Sequence, residues 1–315
     1  MPADRAAARW SPVVVPAPPD REPDPLPRRM PAATTAGAIA HTALDRSIEL
    51  LFEHEPELGP DDDPEHVHQA RVATRRLRSD LRTFRPLFDP GWTRALLDEL
   101  RWLGRKLGAV RDADVLRDRL VGRLARLPAV DRVPAESLVE RVRSDRVRHG
   151  DDLQAALAST RYLGLRAELV KTARHPRLTD LASSPAMVVL PPLARRPWTR
   201  LRRKVARLGA DPTDAALHDV RIATKRCRYA TQAVAPAIGE PAAQLARALG
   251  RLQDRLGEHQ DAIVAETWLR AIAIESSPAT AFVAGELVSA ERRAALEARA
   301  EWPRAWRRVW KSRLR

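Results

Sequence analysis

The 315-residue sequence is poor in several residue types, and each scarcity excludes a class of structure. Cys227 is the only cysteine, which excludes an intramolecular disulfide and any cysteine-rich metal site. Aromatic residues make up 4% of the chain, too few to favour a surface that stacks bases. No run of 18 apolar residues occurs, so the sequence predicts no membrane-spanning helix. The N-terminus carries charges and prolines instead of an apolar signal segment, and we therefore expect a cytoplasmic protein.

Positive charge, by contrast, is abundant. The formal net charge is +14, and 50 of the 55 basic residues are arginine. A balance this basic indicates a polyanionic partner, which can be nucleic acid, an anionic membrane or a phosphate polymer. The guanidinium group favours phosphate in particular, because its N–H donors can contact two phosphate oxygens at once.

Two segments of the chain occur twice at nearly the same separation. Residues 68–78 share His, Arg, Ala, Thr and further basic positions with residues 218–228, an offset of 218 − 68 = 150. Residues 107–113 share Leu-Gly and Asp-Ala with residues 256–262, an offset of 257 − 108 = 149. Self-similarity at so long a period predicts a duplicated domain rather than a short-repeat solenoid.

Placed on a helix at about 100° per residue, each copy of the first segment has a cationic face and an apolar face. The cations of the first copy are His68, Arg71, Arg75, Arg76, Arg78 and Arg82. Those of the second copy are His218, Arg221, Lys225, Arg226 and Arg228. The apolar residues are Ala70, Ala73, Leu77, Leu81, Phe84 and Phe88, and in the second copy Val220, Ala223, Cys227 and Val234. A solvated basic face would explain one such helix, but two matched helices whose cations repel one another predict an anion site.

The remaining pattern is helical, which predicts an all-α fold. We expect a disordered proline-rich tail at 1–32, a first helical half at 33–180 and a second at 181–315, with the proline-rich stretch 176–197 between them. Asp62 or Asp63 is expected to cap the first basic helix, which should run to about Phe88. Gly108 and Gly257 are expected to end helices that are followed by a sharp turn.

Metal and enzyme signatures are weak in this sequence. His66 and His68 diverge by about 200° on a helix and cannot share an ion there. No phosphate-binding glycine loop, His-Glu-x-x-His or Gly-x-Ser-x-Gly motif occurs, and the basic helices lack the acids that hold Mg²⁺ for phosphoryl transfer. We therefore expect a binding protein without catalytic residues, cofactor or metal. Asp112 and Asp261 are expected to serve as first-turn acids or as partners of an arginine.

Two other partner classes stay open. A nucleic-acid protein would have the same charge, although the basic faces contain only Tyr229 as an aromatic and no polar set that reads bases. The C-terminal helix carries Trp302, Trp306 and Trp310 among basic residues and would suit an anionic membrane surface. The more frequent meaning of such a stripe is the docking face of a terminal helix, which is our expectation. A metal-dependent phosphohydrolase is the least favoured alternative.

The two basic segments, with the repeated 107–113 and 256–262 segments, resemble the signature of the CHAD domain, the conserved histidine α-helical domain. The resemblance covers residues 33–315, and Cys227 stands where the family usually has leucine. It implies two helical bundles related by a pseudo-twofold axis, each an antiparallel four-helix unit, around a central basic groove or pore. It also implies binding of inorganic polyphosphate, association with polyphosphate granules and no catalysis. The cations named above would line the polyphosphate path.

This function has consequences for solution behaviour. A histidine side chain ordinarily titrates near pH 6.5, so binding through His68 and His218 predicts tighter affinity as the pH falls toward 6. Release of counterions from the polymer predicts that affinity falls steeply with salt.

Overall fold

The computed structural model describes residues 34–59 and 63–314, and this part of the chain is all-α as predicted. Its helices are α1 (Ala36–His54), α2 (Pro64–Thr83), α3 (Pro90–Leu124), α4 (Ala129–Leu157), α5 (Thr160–Arg174), α6 (Ala186–Ala206), α7 (Asp214–Ile238), α8 (Glu240–Ile274) and α9 (Pro278–Lys311). The described residues contain no β-strand, and none of their helices is long and apolar enough to cross a membrane. The tail predicted at 1–32 lies outside the described residues, as does Asp62.

Side-chain caps explain where several helices begin. The Asp63 carboxylate accepts a hydrogen bond from the Glu65 amide at 2.9 Å and opens α2, as the sequence predicts for this position. Thr213 caps α7 in the same way, through the Ala216 amide at 3.2 Å. The two basic segments 68–78 and 218–228 therefore lie within the capped helices α2 and α7.

Two of the predicted helix ends are wrong. Gly108 and Gly257 lie inside α3 and α8, each of which runs unbroken for 35 residues, so no helix ends or turns at either glycine. A single interior glycine costs a helix only about 1 kcal/mol relative to alanine. Apolar residues on both sides of each glycine are buried, which offsets that cost and carries the helix through.

The end of α2 and the start of α6 also differ from expectation. The helix α2 ends at Thr83 and not near Phe88, because Pro86 disfavours helical backbone at the residue before it and a short 3-10 turn follows. The helix α6 begins at Ala186 and passes through three prolines of the stretch predicted as a connection. Burial of Leu190 and Leu193 on either side of the proline pair compensates for the hydrogen bonds that proline removes.

Three apolar clusters hold the helices together. The first joins α1, α2, α3 and α5 to the start of α6 and the end of α7. The third lies between the end of α6, α7, α8 and the end of α9. The second is formed by the distal parts of two long hairpins, α3 with α4 and α8 with α9. The helix α6 thus contributes to two of the clusters, and the boundary at residue 180 stays a prediction, as do the pseudo-twofold relation and the central groove.

Candidate anion-binding site

The helices α2 and α7 pack against each other, so the two basic segments are neighbours in space. Their predicted apolar stripes are buried: Leu77 and Leu81 on α2, and Val220 and Cys227 on α7, are each almost completely inaccessible to solvent. The cationic residues of both helices are half-buried or exposed. The sequence pattern therefore fixes which side of each helix is left for charge.

Five arginines from three helices converge at one end of this arrangement, and we call them the arginine cluster. They are Arg78 and Arg82 of α2, Arg101 and Arg105 of α3, and Arg226 of α7. Desolvation and the charges of Arg101, Arg105 and Arg226 lower the pKa of Arg78. Desolvation, and then the charges of neighbours that include Arg78 and Arg226, lower the pKa of Arg82 to about 10. Each guanidinium thus loses part of its hydration and meets like charges, a combination that an anion would relieve.

Carboxylates hardly neutralise this cluster. Within the part of the chain that the structure describes, Arg101 is the one member with a carboxylate in ion-pair contact, Asp98 at 2.5 Å. Sequence reasoning missed Arg101 and Arg105, because neither lies in a repeated segment. The signal that could have identified them is their spacing of four residues, which places both on one side of α3.

Three helix glycines lie beside guanidinium groups, Gly104 and Gly108 of α3 and Gly250 of α8. A Cβ atom at Gly104 of α3 would be 3.2 Å from an Nη atom of Arg78, and one at Gly250 of α8 would be 3.8 Å from Nε of Arg228. The absence of a side chain at Gly104 therefore lets Arg78 lie against the backbone of α3. This contact directs Arg78 of α2 toward Arg101 and Arg105 on the neighbouring helix.

Tyr229 links the cations of the two basic helices. The guanidinium carbon of Arg75 lies 5.4 Å from the centroid of its ring, and that of Arg228 lies 5.9 Å away. Both distances suit cation–π attraction. Tyr229 itself is buried, so the ring holds Arg75 of α2 beside Arg228 of α7 and is not an exposed stacking surface.

Two acids, which we call the site carboxylates, lie near the first arginine of each basic segment, Asp112 of α3 and Asp261 of α8. Arg71 donates to Asp112 at 2.6 Å and to the Gly108 carbonyl at 3.0 Å. Of the two roles expected for Asp112, the structure shows the pairing with an arginine.

Asp261 occupies the matching place in the second copy. It is half-buried, and this burial raises its pKa against the opposing charges of Arg221, Arg119 and Lys225. Asp112 therefore faces Arg71 and Asp261 faces Arg221, and these two arginines occupy corresponding positions of the two copies.

The two predicted histidines are both half-buried. The Nδ1 atom of His218 is in hydrogen-bond contact with the side chain of Gln260, which is the residue before Asp261. His68 and Arg76 also make polar contacts. The structure therefore brings Arg78, Arg82 and Arg226 into one cluster and joins Arg75 to Arg228 through a ring, whereas Arg71, Arg221 and Lys225 face carboxylates.

Neither the metal nor the membrane alternative gains a defined site. The described residues contain no group of three or more His, Cys, Asp or Glu side chains that could hold a metal ion. His66 turns toward His54, with 3.0 Å between their Nδ1 atoms. At the C-terminus, Trp306 stacks on Trp198 at 5.8 Å between ring centroids and packs against the third apolar cluster, while Trp310 is 40% exposed. The stripe is largely a docking face.

Solved structures with a similar fold come from a bacterium and a plant. The chain is similar to PptA from Streptomyces chartreusis, with a TM-score of 0.71 and 23% identity over 87% of this chain and all of that one. It is similar to the CHAD domain from the plant Ricinus communis, with a TM-score of 0.67 and 30% identity over 86% of this chain and 93% of that one.

Two relatives from Mycobacterium tuberculosis are known by sequence, the uncharacterized proteins MT2285 and Rv2226. Each is 30% identical over an alignment of 282 residues that covers 86% of this chain. The chain spans about half the length of these relatives, 53%. The model of the CHAD domain family matches residues 42–270, a stretch that includes both basic helices and both site carboxylates. The chain therefore belongs to the CHAD domain family.

Proposed function

We propose that this protein binds inorganic polyphosphate along the cationic faces of α2 and α7. The observation that carries the proposal is the arginine cluster, in which side chains from three helices converge almost without carboxylate partners and lower the pKa of Arg78 and Arg82. A linear polymer of phosphates supplies what such a site needs, negative charge at every unit together with several oxygens that accept hydrogen bonds from guanidinium forks.

The free energy of binding would come from two sources. The first is relief of the desolvation of Arg78 and Arg82, and of the repulsion between them and Arg226, when phosphate oxygens contact these groups. The second is the release of counterions from the polymer, which makes affinity fall steeply as salt rises. Gly104 and Tyr229 hold guanidinium groups in place before the ligand arrives, which lowers the entropy lost on binding.

Polyphosphate is favoured over nucleic acid for a specific reason. Proteins that bind single strands combine cations with aromatic rings on which bases stack. The aromatic ring at this site is Tyr229, which is buried and already contacts the guanidinium groups of Arg75 and Arg228. A base would find no free ring face there, whereas phosphate needs only the cations.

We further propose that the protein binds the polymer without hydrolysing it, in the cytoplasm and on polyphosphate granules. Phosphoryl transfer depends on carboxylates that hold Mg²⁺ against the phosphates, and the groups that converge in the cluster are guanidinium groups. Incubation with long-chain polyphosphate and Mg²⁺ or Mn²⁺ should release no orthophosphate above background. Release that saturates with protein would establish the hydrolase alternative.

A competition titration at about 150 mM salt tests the binding proposal. Labelled long-chain polyphosphate is bound and then challenged with unlabelled polyphosphate, single-stranded DNA, RNA and heparin at equal charge. Efficient displacement by polyphosphate and poor displacement by the others is the expected result. Equal displacement by DNA or RNA would instead establish a general polyanion or nucleic-acid site.

A matched pair of double variants locates the site. Arg78→Gln with Arg226→Gln should weaken polyphosphate binding by at least about tenfold, since two charge-assisted contacts are lost. Arg141→Gln with Arg143→Gln removes the same charge from exposed positions of α4 and should change affinity less than about twofold. Equal effects of the two pairs would show that net charge, and not the cluster, attracts the polymer.

A further inference from the structure

The first arginine of each basic segment already faces an anionic group. Asp112 accepts from Arg71 at 2.6 Å, and Asp261 faces Arg221 and Lys225. The two acids come from corresponding segments, 107–113 and 256–262, and the two arginines from corresponding positions of α2 and α7. Both copies therefore place a carboxylate where a phosphate of a bound polymer would contact the first arginine of the basic face.

The Asp112 contact is one that a phosphate can replace. The side chain of Asp112 is 70% exposed and that of Arg71 is 30% exposed, so water reaches the pair. An exposed ion pair of this kind contributes little net free energy, because solvent screens the charges and two long side chains lose freedom. Arg71 also keeps its bond to the Gly108 carbonyl, which would hold the guanidinium near the site after Asp112 has moved away.

We propose that Asp112 is a built-in competitor of the ligand, which a long polyphosphate chain displaces and a short or sparsely charged anion does not. This inference rests on the proposed function and adds a rule for ligand selection. A short anion would stay at the arginine cluster, where among the described residues only Arg101 has a carboxylate in ion-pair contact. A longer chain reaches Arg71 and exchanges Asp112 for phosphate, because its charge density sustains the exchange. Asp112 is the occupant that opens, since Asp261 is half-buried beside Arg119.

The test compares Asp112→Asn with Asp145→Asn in the full chain. Both substitutions remove one carboxylate that pairs with an arginine, and Asp145 pairs with Arg148 on α4. Affinities for long-chain polyphosphate, triphosphate and heparin are measured over a series of salt concentrations. Asp112→Asn should tighten long-chain binding by about two- to fivefold and steepen its salt dependence by about one released ion, because no displaced carboxylate then repels the polymer beside Arg71. Triphosphate affinity should change by less than about 1.5-fold, and Asp145→Asn should change neither ligand.

The possible results separate the two proposals. Weaker long-chain binding by Asp112→Asn would mean that the acid positions Arg71, and it would overturn the competitor role while leaving polyphosphate binding intact. An equal gain with Asp145→Asn, or an equal gain for triphosphate, would overturn it as well. If the wild-type protein binds heparin but no polyphosphate, and Asp112→Asn still tightens heparin binding with a steeper salt slope, the proposed function fails and the competitor role stands. No binding of either polymer would overturn both.

Discussion

The two copies of the basic segment place the same residue types in different surroundings. In the first copy, Arg71 and Asp112 form a pair that solvent reaches. In the second copy, Asp261 is half-buried and faces Arg119 of α3 in addition to Arg221 and Lys225 of α7. Spacing along the sequence thus determines which acid faces which arginine, whereas neighbouring helices determine how deeply the contact is buried. Matched sequence copies need not have matched energetics.

A network of charges behind the second copy accounts for the difference. Arg119 pairs with Glu258 of α8 at 2.9 Å and also with Glu291 of α9, and Arg123 pairs with Glu291 at 2.8 Å. The Glu291 side chain is fully buried. The distal part of α3 is therefore tied to both helices of the second hairpin, and Asp261 lies beside that connection. The pair Arg71–Asp112 lacks a comparable second layer in the contacts described for it.

The largest effect is expected when the charge network behind the second copy is broken. Glu291→Gln would remove the carboxylate that Arg123 contacts and leave Arg119 with Glu258 alone, and we expect a loss of about 3–5 kcal/mol in the free energy of unfolding. Asp112→Asn, which breaks the exposed pair of the first copy, should cost less than about 1 kcal/mol. Urea unfolding monitored by circular dichroism measures both. Similar losses for the two variants would contradict the contrast between buried and exposed pairs.

A somewhat smaller effect on stability is expected when cavities are made in the apolar faces of the two basic helices, and the two helices should differ in its size. Leu77 of α2 and Cys227 of α7 correspond, since 227 − 77 = 150, and both are completely buried. Leu77→Ala removes more buried volume than Cys227→Ala and leaves a larger cavity, so we expect a loss of about 2–5 kcal/mol for the first. Cys227→Ala should lower the free energy of unfolding by about half as much or less. A greater loss for Cys227→Ala in the same urea experiment would show that the core around α7 tolerates cavities less well.

The sequence predicted the helical fold and the buried faces of α2 and α7, and it offered the Asp63 cap and the pairing of Asp112 with an arginine each as one of two alternatives. All of these depend on local periodicity or on spacing that occurs twice. It failed at Gly108, Gly257 and the prolines of α6, because the cost of one unfavourable residue is small beside the packing of a long helix on both sides of it. Local propensity alone cannot weigh the two.

The candidate site was predictable only where it lies on the repeated segments. Arg101 and Arg105 enter it because α3 packs beside α2, and that is a property of the tertiary fold and not of local pattern. The role of Tyr229 likewise depends on Arg75, which is 154 positions earlier in the chain (229 − 75). The repeat identified the helices that carry charge, and the packing of a third helix determined where that charge is densest.

A pH experiment sharpens the comparison at the second residue after each repeated Leu-Gly pair. Val110 of α3 corresponds to His259 of α8, since 259 − 110 = 149, and both are buried. Burial lowers the pKa of His259, against the opposing charge of Asp214, whose carboxylate lies 3.1 Å from Nε2. The unfolded chain therefore binds this proton more readily than the folded one, so the contribution of His259 to stability is lost as the pH falls below about 6.5.

The substitution His259→Val places the residue of the first copy in the second. Thermal unfolding between pH 7.5 and pH 5 should show a smaller decrease of Tm in this variant than in the wild type, since the buried imidazole no longer has to be protonated. Asp214 keeps Arg299 as a partner at 3.2 Å, which limits the cost of the change at neutral pH. An undiminished acid sensitivity would assign the decrease to other groups.

The smallest expected effect concerns affinity and the one ring at the site. Tyr229 corresponds to Ser79, since 229 − 79 = 150, so a single copy supplies the ring that Arg75 and Arg228 share. Tyr229→Leu should weaken polyphosphate binding by about two- to fivefold, because cation–π contacts contribute about 0.5–1 kcal/mol each and here hold two ligand-facing guanidinium groups. Tyr229→Phe should bind like the wild type, since the hydroxyl has no hydrogen-bond partner among the described residues. Urea unfolding controls for packing, and if Tyr229→Leu binds as tightly as Tyr229→Phe, the ring serves the core alone and the two copies contribute equally to the ligand.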